Sequence, residues 1–154
     1  MSPTKSSDGK TTAGAVEILG LDHVVLRVRD VNRAMRFYGD VLGCLEERRQ
    51  DELGLIQLRA GRTLIDLIDA NGKLGREGGA PPGTEGYNMD HFCLQIATFN
   101  PAALRAHLAR HGIDMGEVKQ RYGAEGEGPS VYIKDPDGNV VELKGPPTGE
   151  RFPG

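Results

Sequence analysis

The sequence predicts an α+β fold of two βαβββ modules, whose curved sheets form a cup with the helices on the outside. Three observations lead there. "LDHVVLRV" at 21–28 and "MDHFCLQI" at 89–96 are alternating, strand-like segments with Asp-His at the same place. A stretch with helical spacing follows each of them. Short strand candidates then follow each helix, bounded by glycine and proline.

In "DVNRAMRFYGDVLG", Asp30 can cap a helix whose apolar positions are Val31, Ala34, Met35, Tyr38, Val41 and Leu42. Gly43 closes it. Strands are expected over 45–50, 53–59 and 63–69, with Gly61 near a turn. In the second module Asn100 caps "NPAALRAHLARHG", Pro101 takes the first helical position and Gly112 ends the helix. Strands are expected over 113–120, 129–134 and 139–144, the last two joined by the turn Asp135-Pro136-Asp137-Gly138.

These elements set the boundaries. Module one spans 19–70 and module two 89–145, with a Gly/Pro-rich linker at 71–88 that could serve as a lid. Residues 1–18 and 146–154 are small and polar and read as disordered tails. The N-terminus has no apolar core of a signal peptide, and no apolar run approaches the ~18 residues of a membrane span. The net charge of −3 and the lack of a Lys/Arg cluster argue against a nucleic-acid partner. Cys44 and Cys93 lack CxxC spacing, so no disulfide and a reducing, cytoplasmic setting are expected.

Strand alternation sorts the side chains by face. Val24, Leu26, Val28, Ile65, Leu67, Phe92, Leu94, Ile96, Val141 and Leu143 go under the helices. The other face carries His23 and His91 at matched positions, and likewise Asp66 and Glu142. A carboxylate in a strand as apolar as "VVEL" needs compensation. If the two sheets curl toward each other, two imidazoles and one or two carboxylates converge into a set suited to a divalent metal. Asp66, with its shorter side chain, either binds the metal directly or orients a ligand. His107 and His111, on the second helix, read as packing and rim residues. Cys93 shares the face of His91 and either lines the cup or fills a small core position.

"LDHVVLRV", the "FYGDVLG" helix end, "DHFCLQI" and "DPDGNVVEL" together resemble the vicinal oxygen chelate superfamily of glyoxalases, bleomycin-resistance proteins and extradiol dioxygenases, over about residues 19 to 145. The resemblance implies a metal held by His23, His91 and Glu142 with Asp66 at the fourth place, the metal being Zn, Ni, Co, Mn or Fe. It implies activation of a small oxygen-chelating substrate, a lyase or isomerase reaction of lactoylglutathione lyase type, with Glu142 and Asp66 as catalytic carboxylates. Glutathione is then a candidate co-substrate, with Arg27 placed for its carboxylate. In glyoxalase I a Glu stands where this chain has Asp66.

Two other chemistries of the same superfamily leave traces. "YIKDPDGNVVE" is similar to the extradiol signature, with Tyr132 as a catalytic residue, but the His expected before that Tyr is absent. "AEGEGPSVYIKD" is similar to a segment of fosfomycin-resistance enzymes, with Ser130, Tyr132 and Lys134 as oxyanion contacts and Pro129 where some members have Arg. Gln95, on the face of His91, joins Arg27, Ser130 and Lys134 as a substrate-side residue. A non-catalytic small-molecule binding protein is the remaining alternative. A homodimer is expected, with the cup closed either within one chain or across two.

Overall fold

The structure is a computed structural model and describes residues 4–5, 11–13, 15–81, 83, 85 and 89–148. It opens with a small antiparallel sheet of β1 (Thr4–Lys5), β2 (Thr11–Ala13) and β3 (Val16–Ile18). These strands fall within the segment that reads as a tail; the other residues at 1–3, 6–10 and 14, and the C-terminal 149–154, lie outside the described residues.

Module one contains β4 (His23–Val28), α1 (Val31–Met35), β5 (Leu45–Gln50), β6 (Leu55–Ala60) and β7 (Thr63–Asp69). Module two contains β8 (Phe92–Gln95), α2 (Pro101–Arg110), β9 (Lys119–Gly123), β10 (Gly126–Lys134) and β11 (Val140–Lys144). The sheets run β4-β7-β6-β5 and β8-β11-β10-β9. In each, the first strand lies parallel to the last and the other pairs are antiparallel. The fold is therefore the expected pair of βαβββ modules, each a mixed four-stranded sheet with one helix.

Both predicted caps are present. Asp30 Oδ1 accepts from Arg33 N and Asn100 Oδ1 accepts from Ala103 N, each at 3.1 Å. Several boundaries differ from the sequence reading; β10, for one, starts at Gly126 rather than at 129. The first helix continues beyond α1 as a π-helix over Arg36–Val41. The wider turn leaves both Phe37 and Tyr38 buried, whereas regular helical spacing assigns only Tyr38 inward. The strand expected from 53 begins at 55, because Asp51–Leu53 forms a 3₁₀ turn that Gly54 ends at φ +70°. The strand expected over 113–120 begins at 119, and the only ladder-like contact before it is Gly116 N to Tyr132 O.

The buried apolar residues of both modules form one continuous core. Leu26, Val28, Ile65 and Leu67 come from the first sheet, Val131, Ile133, Val141 and Leu143 from the second. Tyr38 ties the modules together: its ring stacks on Phe92 at 6.5 Å and its hydroxyl donates to Asp135 Oδ2 at 2.6 Å. The helix-bearing faces are thus consumed by a shared core. The four candidate ligands stand on the opposite faces, as alternation predicts. No helix of the described residues is long and apolar enough to cross a membrane.

Candidate metal centre

Two pairs of candidate ligands result, one on each sheet. On the first, His23 opens β4 and Asp66 lies in β7 across from Val25, two residues further along the same face. His23 Nδ1 bonds Asp22 Oδ1 at 2.7 Å, which leaves Nε2 for a ligand. That Asp22 bond raises the His23 pKa above its ordinary value, and the Asp66 carboxylate adds to the effect. Asp66 is buried; Oδ2 accepts from Gln57 Nε2 at 3.1 Å, while the buried Oδ1 has no hydrogen-bond partner among the described residues.

On the second sheet, His91 stands just before β8 and Glu142 lies in β11. His91 Nδ1 bonds the carboxylate of Asp90, so the same Asp-His device is used twice. His91 Nε2 is 3.5 Å from Glu142 Oε1. Cys93, paired with Glu142 in register, places Sγ 3.4 Å from Oε2. Desolvation of the thiol, then the Glu142 charge, push the Cys93 pKa up to about 12, so it stays a neutral S–H donor at neutral pH. Tyr132 is the cross-strand neighbour of Glu142, and its ring meets the His91 ring edge-on at 5.3 Å.

Whether these residues suit a metal can be judged against a third buried carboxylate. Asp135 accepts four hydrogen bonds, from Tyr38 Oη, Asp137 N, Asn139 N and Asn139 Nδ2. Glu142 is as buried at 6% exposure but, among the described residues, is met only by a thiol and an imidazole at 3.5 Å. Asp66, at 5%, keeps one oxygen with no partner. Two under-compensated carboxylates, each on the face of an imidazole with Nδ1 already held, fit a divalent cation.

The convergence of all four residues is not found within one chain. Among the described residues, no three His, Cys, Asp or Glu come close enough to hold a metal together. The reason is topological: the shared core lies between the helix-bearing faces, so His23 with Asp66 and His91 with Glu142 remain separate pairs.

The substrate-side candidates separate as well. Arg27 does not present a free guanidinium. Nε and Nη2 donate to Gly75 O at 3.1 and 2.9 Å, Nη2 to Gly79 O at 2.5 Å and Nη1 to Ala80 O at 3.3 Å. Arg27 therefore fastens the start of the linker across the face of β4. Ser130 is fully buried and accepts from Arg121 through Oγ, so its hydroxyl is committed. Gln95 is exposed at the end of the edge strand β8. Lys134 is exposed and, with Met115, Tyr132 and Val140, lines a cavity of about 590 Å³.

His107 Nε2 lies 2.7 Å from Val41 O and its ring meets His111 at 5.0 Å, a packing role. Cys44 and Cys93 are both free thiols. Four residues that sequence reading left without a role belong to the site's surroundings: Asp22, Asp90, Gln57 and Arg121. The repeated Asp-His was a visible signal for the first two; Gln57 and Arg121 meet their partners only across strands.

A paired βαβββ fold with an imidazole and a buried carboxylate on each sheet defines a class. Residues 20–143 match the model of the Glyoxalase/Bleomycin resistance protein/Dioxygenase superfamily, and the chain belongs to that superfamily. It is 33% identical over 125 residues to virulence protein STM3117 of Salmonella typhimurium, covering 80% of this chain and 81% of that protein. It is 26% identical over 138 residues to human mitochondrial methylmalonyl-CoA epimerase, covering 85% of this chain and 77% of that protein. Among solved structures, an integron cassette protein of Vibrio cholerae superposes with a TM-score of 0.64 at 28% identity, covering 84% of this chain and 97% of that one.

Proposed function

We propose that the chain is a metal-dependent enzyme of glyoxalase type, an isomerase or lyase that acts on a small oxygen-chelating substrate such as the thiol adduct of a 2-oxoaldehyde. The observation that carries this reading is the contrast between Asp135, fully hydrogen-bonded, and Glu142 and Asp66, which are not. His23, His91 and Glu142 would hold the cation, with Asp66 at the fourth place. A divalent metal in that position supplies polarisation of the substrate oxygens bound to it.

The chain's own residues do the rest. Asp22 and Asp90 hold the imidazoles with Nε2 turned outward. The Asp66 carboxylate, through its partnerless Oδ1, accepts a proton from one substrate carbon and returns it to the adjacent carbon. Proton and electron pair both stay within the substrate, so the isomerisation needs no external oxidant. Tyr132 closes the side of the site next to His91. An epimerase among the relatives fits the same class of chemistry.

Because the half-sites stay apart within one chain, the complete centre is formed between two copies, His23 and Asp66 from one and His91 and Glu142 from its partner. The exposed apolar side chains of Val16, Ile18, Leu19, Leu21 and Val25, running up to and past His23, support a second copy docking there.

The test is elemental analysis of protein purified without chelator. About one transition metal per chain is expected, lost in both His91→Ala and Glu142→Ala. Retention of metal by both variants would sink the site. Conversion of the methylglyoxal–glutathione adduct to lactoylglutathione then tests the substrate class. Tyr132 beside His91 also favours a second reading, an extradiol-type dioxygenase; bound iron with ring cleavage of a catechol would select it.

A further inference from the structure

The first sheet carries a row of polar side chains that ends on Asp66. Arg48 in β5 stands opposite Gln57 in β6, and Gln57 stands opposite Asp66 in β7. Arg48 Nη1 donates to Gln57 Oε1 at a long 3.5 Å, and Gln57 Nε2 donates to Asp66 Oδ2 at 3.1 Å. The row runs inward: Arg48 is exposed, Gln57 half-buried and Asp66 buried. A β-bulge in β5 sets it up. Glu46 pairs with Leu58 and Arg48 with Gln57, so Glu47 is the extra residue. Regular pairing onward from Glu46 would put the Glu47 carboxylate opposite Gln57. The bulge brings a cation there instead, while Glu47 accepts from Arg59 Nη2 at 3.0 and 2.7 Å.

The chemistry of the two ends fixes the polarity of the middle. A guanidinium only donates and an ionised carboxylate only accepts. Gln57 therefore turns its carbonyl to Arg48 and its amide NH₂ to Asp66. A glutamate at 57 would set two carboxylates side by side, and a lysine would offer Arg48 no acceptor. The result at Asp66 is asymmetric. Oδ2 is taken by Gln57, while the buried Oδ1 has no hydrogen-bond partner among the described residues. Glu142 on the second sheet is different, because both its oxygens are approached: Oε2 by Cys93 Sγ and Oε1 by His91 Nε2. Of the two carboxylates, Asp66 is the one held with a single oxygen left over.

We propose that Gln57, aimed by Arg48 across the bulge, is a positioning residue that commits Asp66 Oδ2 and leaves Oδ1 as the one oxygen through which Asp66 acts. Asp66 then meets a cation or a migrating proton with one oxygen, never as a two-oxygen chelate. This rests on the reading above for the metal and the proton, but the row itself belongs to the metal-free chain. Neither Gln57 nor Arg48 handles the substrate; their effect passes through Asp66.

Two readouts on the full-length protein test this. The first is the side-chain amide NMR signal of Gln57 in the metal-free chain, assigned by its loss in Gln57→Leu. Asp66→Asn and Arg48→Met should each shift it, because both ends of the amide are bonded. The second is cobalt(II) affinity, measured by competition with a chelator. Gln57→Leu should weaken it about tenfold or more, the usual effect of losing a group that orients a ligand. Gln57→Glu keeps the size of the side chain and should not restore it. Arg48→Met should weaken it less, and should add nothing once Gln57→Leu is present. Gln57→Leu should likewise change nothing in an Asp66→Asn chain. A Gln57→Leu chain with a lower urea midpoint but native cobalt affinity would make Gln57 merely structural and overturn the proposal. A Gln57 amide signal that ignores Asp66→Asn would overturn it too. No cobalt binding by the native chain, with both amide shifts present, would support the row and count against the metal reading alone.

Discussion

Asp66, Asp135 and Glu142 are buried to nearly the same degree, yet their surroundings differ in kind. Asp135 is a structural carboxylate, with four donors closing the turn and receiving Tyr38. Removing one donor leaves a charged acceptor short of a bond, so Tyr38→Phe should cost about 1–3 kcal/mol in urea unfolding. Glu142 predicts the opposite sign. In the metal-free protein, Glu142→Gln removes a poorly compensated buried charge and should leave stability unchanged or raise it by about 1 kcal/mol. The same variant should bind metal far more weakly. A loss of stability as large as that of Asp135→Asn would mark Glu142 as structural instead.

At the scale of elements, Arg27 changes role relative to what its position in β4 suggests. Four contacts to carbonyls of residues 75, 79 and 80 make it a clasp between strand and linker. Gly78 packs against it so closely that an added Cβ would lie 2.6 Å from Arg27 Cζ. Arg27→Met and Gly78→Ala should therefore release the same segment, read as faster limited proteolysis within 75–85 with the sheets intact. Unchanged cleavage in both would remove the clasp. Gly75 is still tighter: its Cβ would meet Asp69 O at 1.9 Å, so Gly75→Ala should be the more destabilising of the two glycine variants. The caps are ordinary by comparison, and Asp30→Ala or Asn100→Ala should each cost about 1 kcal/mol.

For the whole molecule, the proposed composite centre makes a prediction that a self-contained site does not. His23→Ala and His91→Ala chains, each unable to build a centre alone, are co-refolded. A heterodimer carries both lesions in one site and none in the other. Random pairing should then restore about a quarter of the native metal stoichiometry, since half the dimers are mixed and each regains one of two sites. No recovery, with mixed dimers demonstrated by a tag, would place the centre within one chain.

The sequence by itself determined the two modules, their order, the caps, the main turns and which face each strand residue takes. All of these follow from short-range rules: a period of two along strands, a period near 3.6 along helices, and the backbone preferences of Asp, Asn, Pro and Gly. His23, Asp66, His91 and Glu142 could be found because each sits on a strand whose alternation is plain. Only the tertiary structure decided what those residues meet. That Arg27 holds residues 75–80, that Arg121 lies over Tyr132, and that the two His-carboxylate pairs stand apart in one chain are outcomes of long-range packing. Local periodicity says which way a side chain leaves the strand; the packing of the two modules on a common core decides what is waiting there.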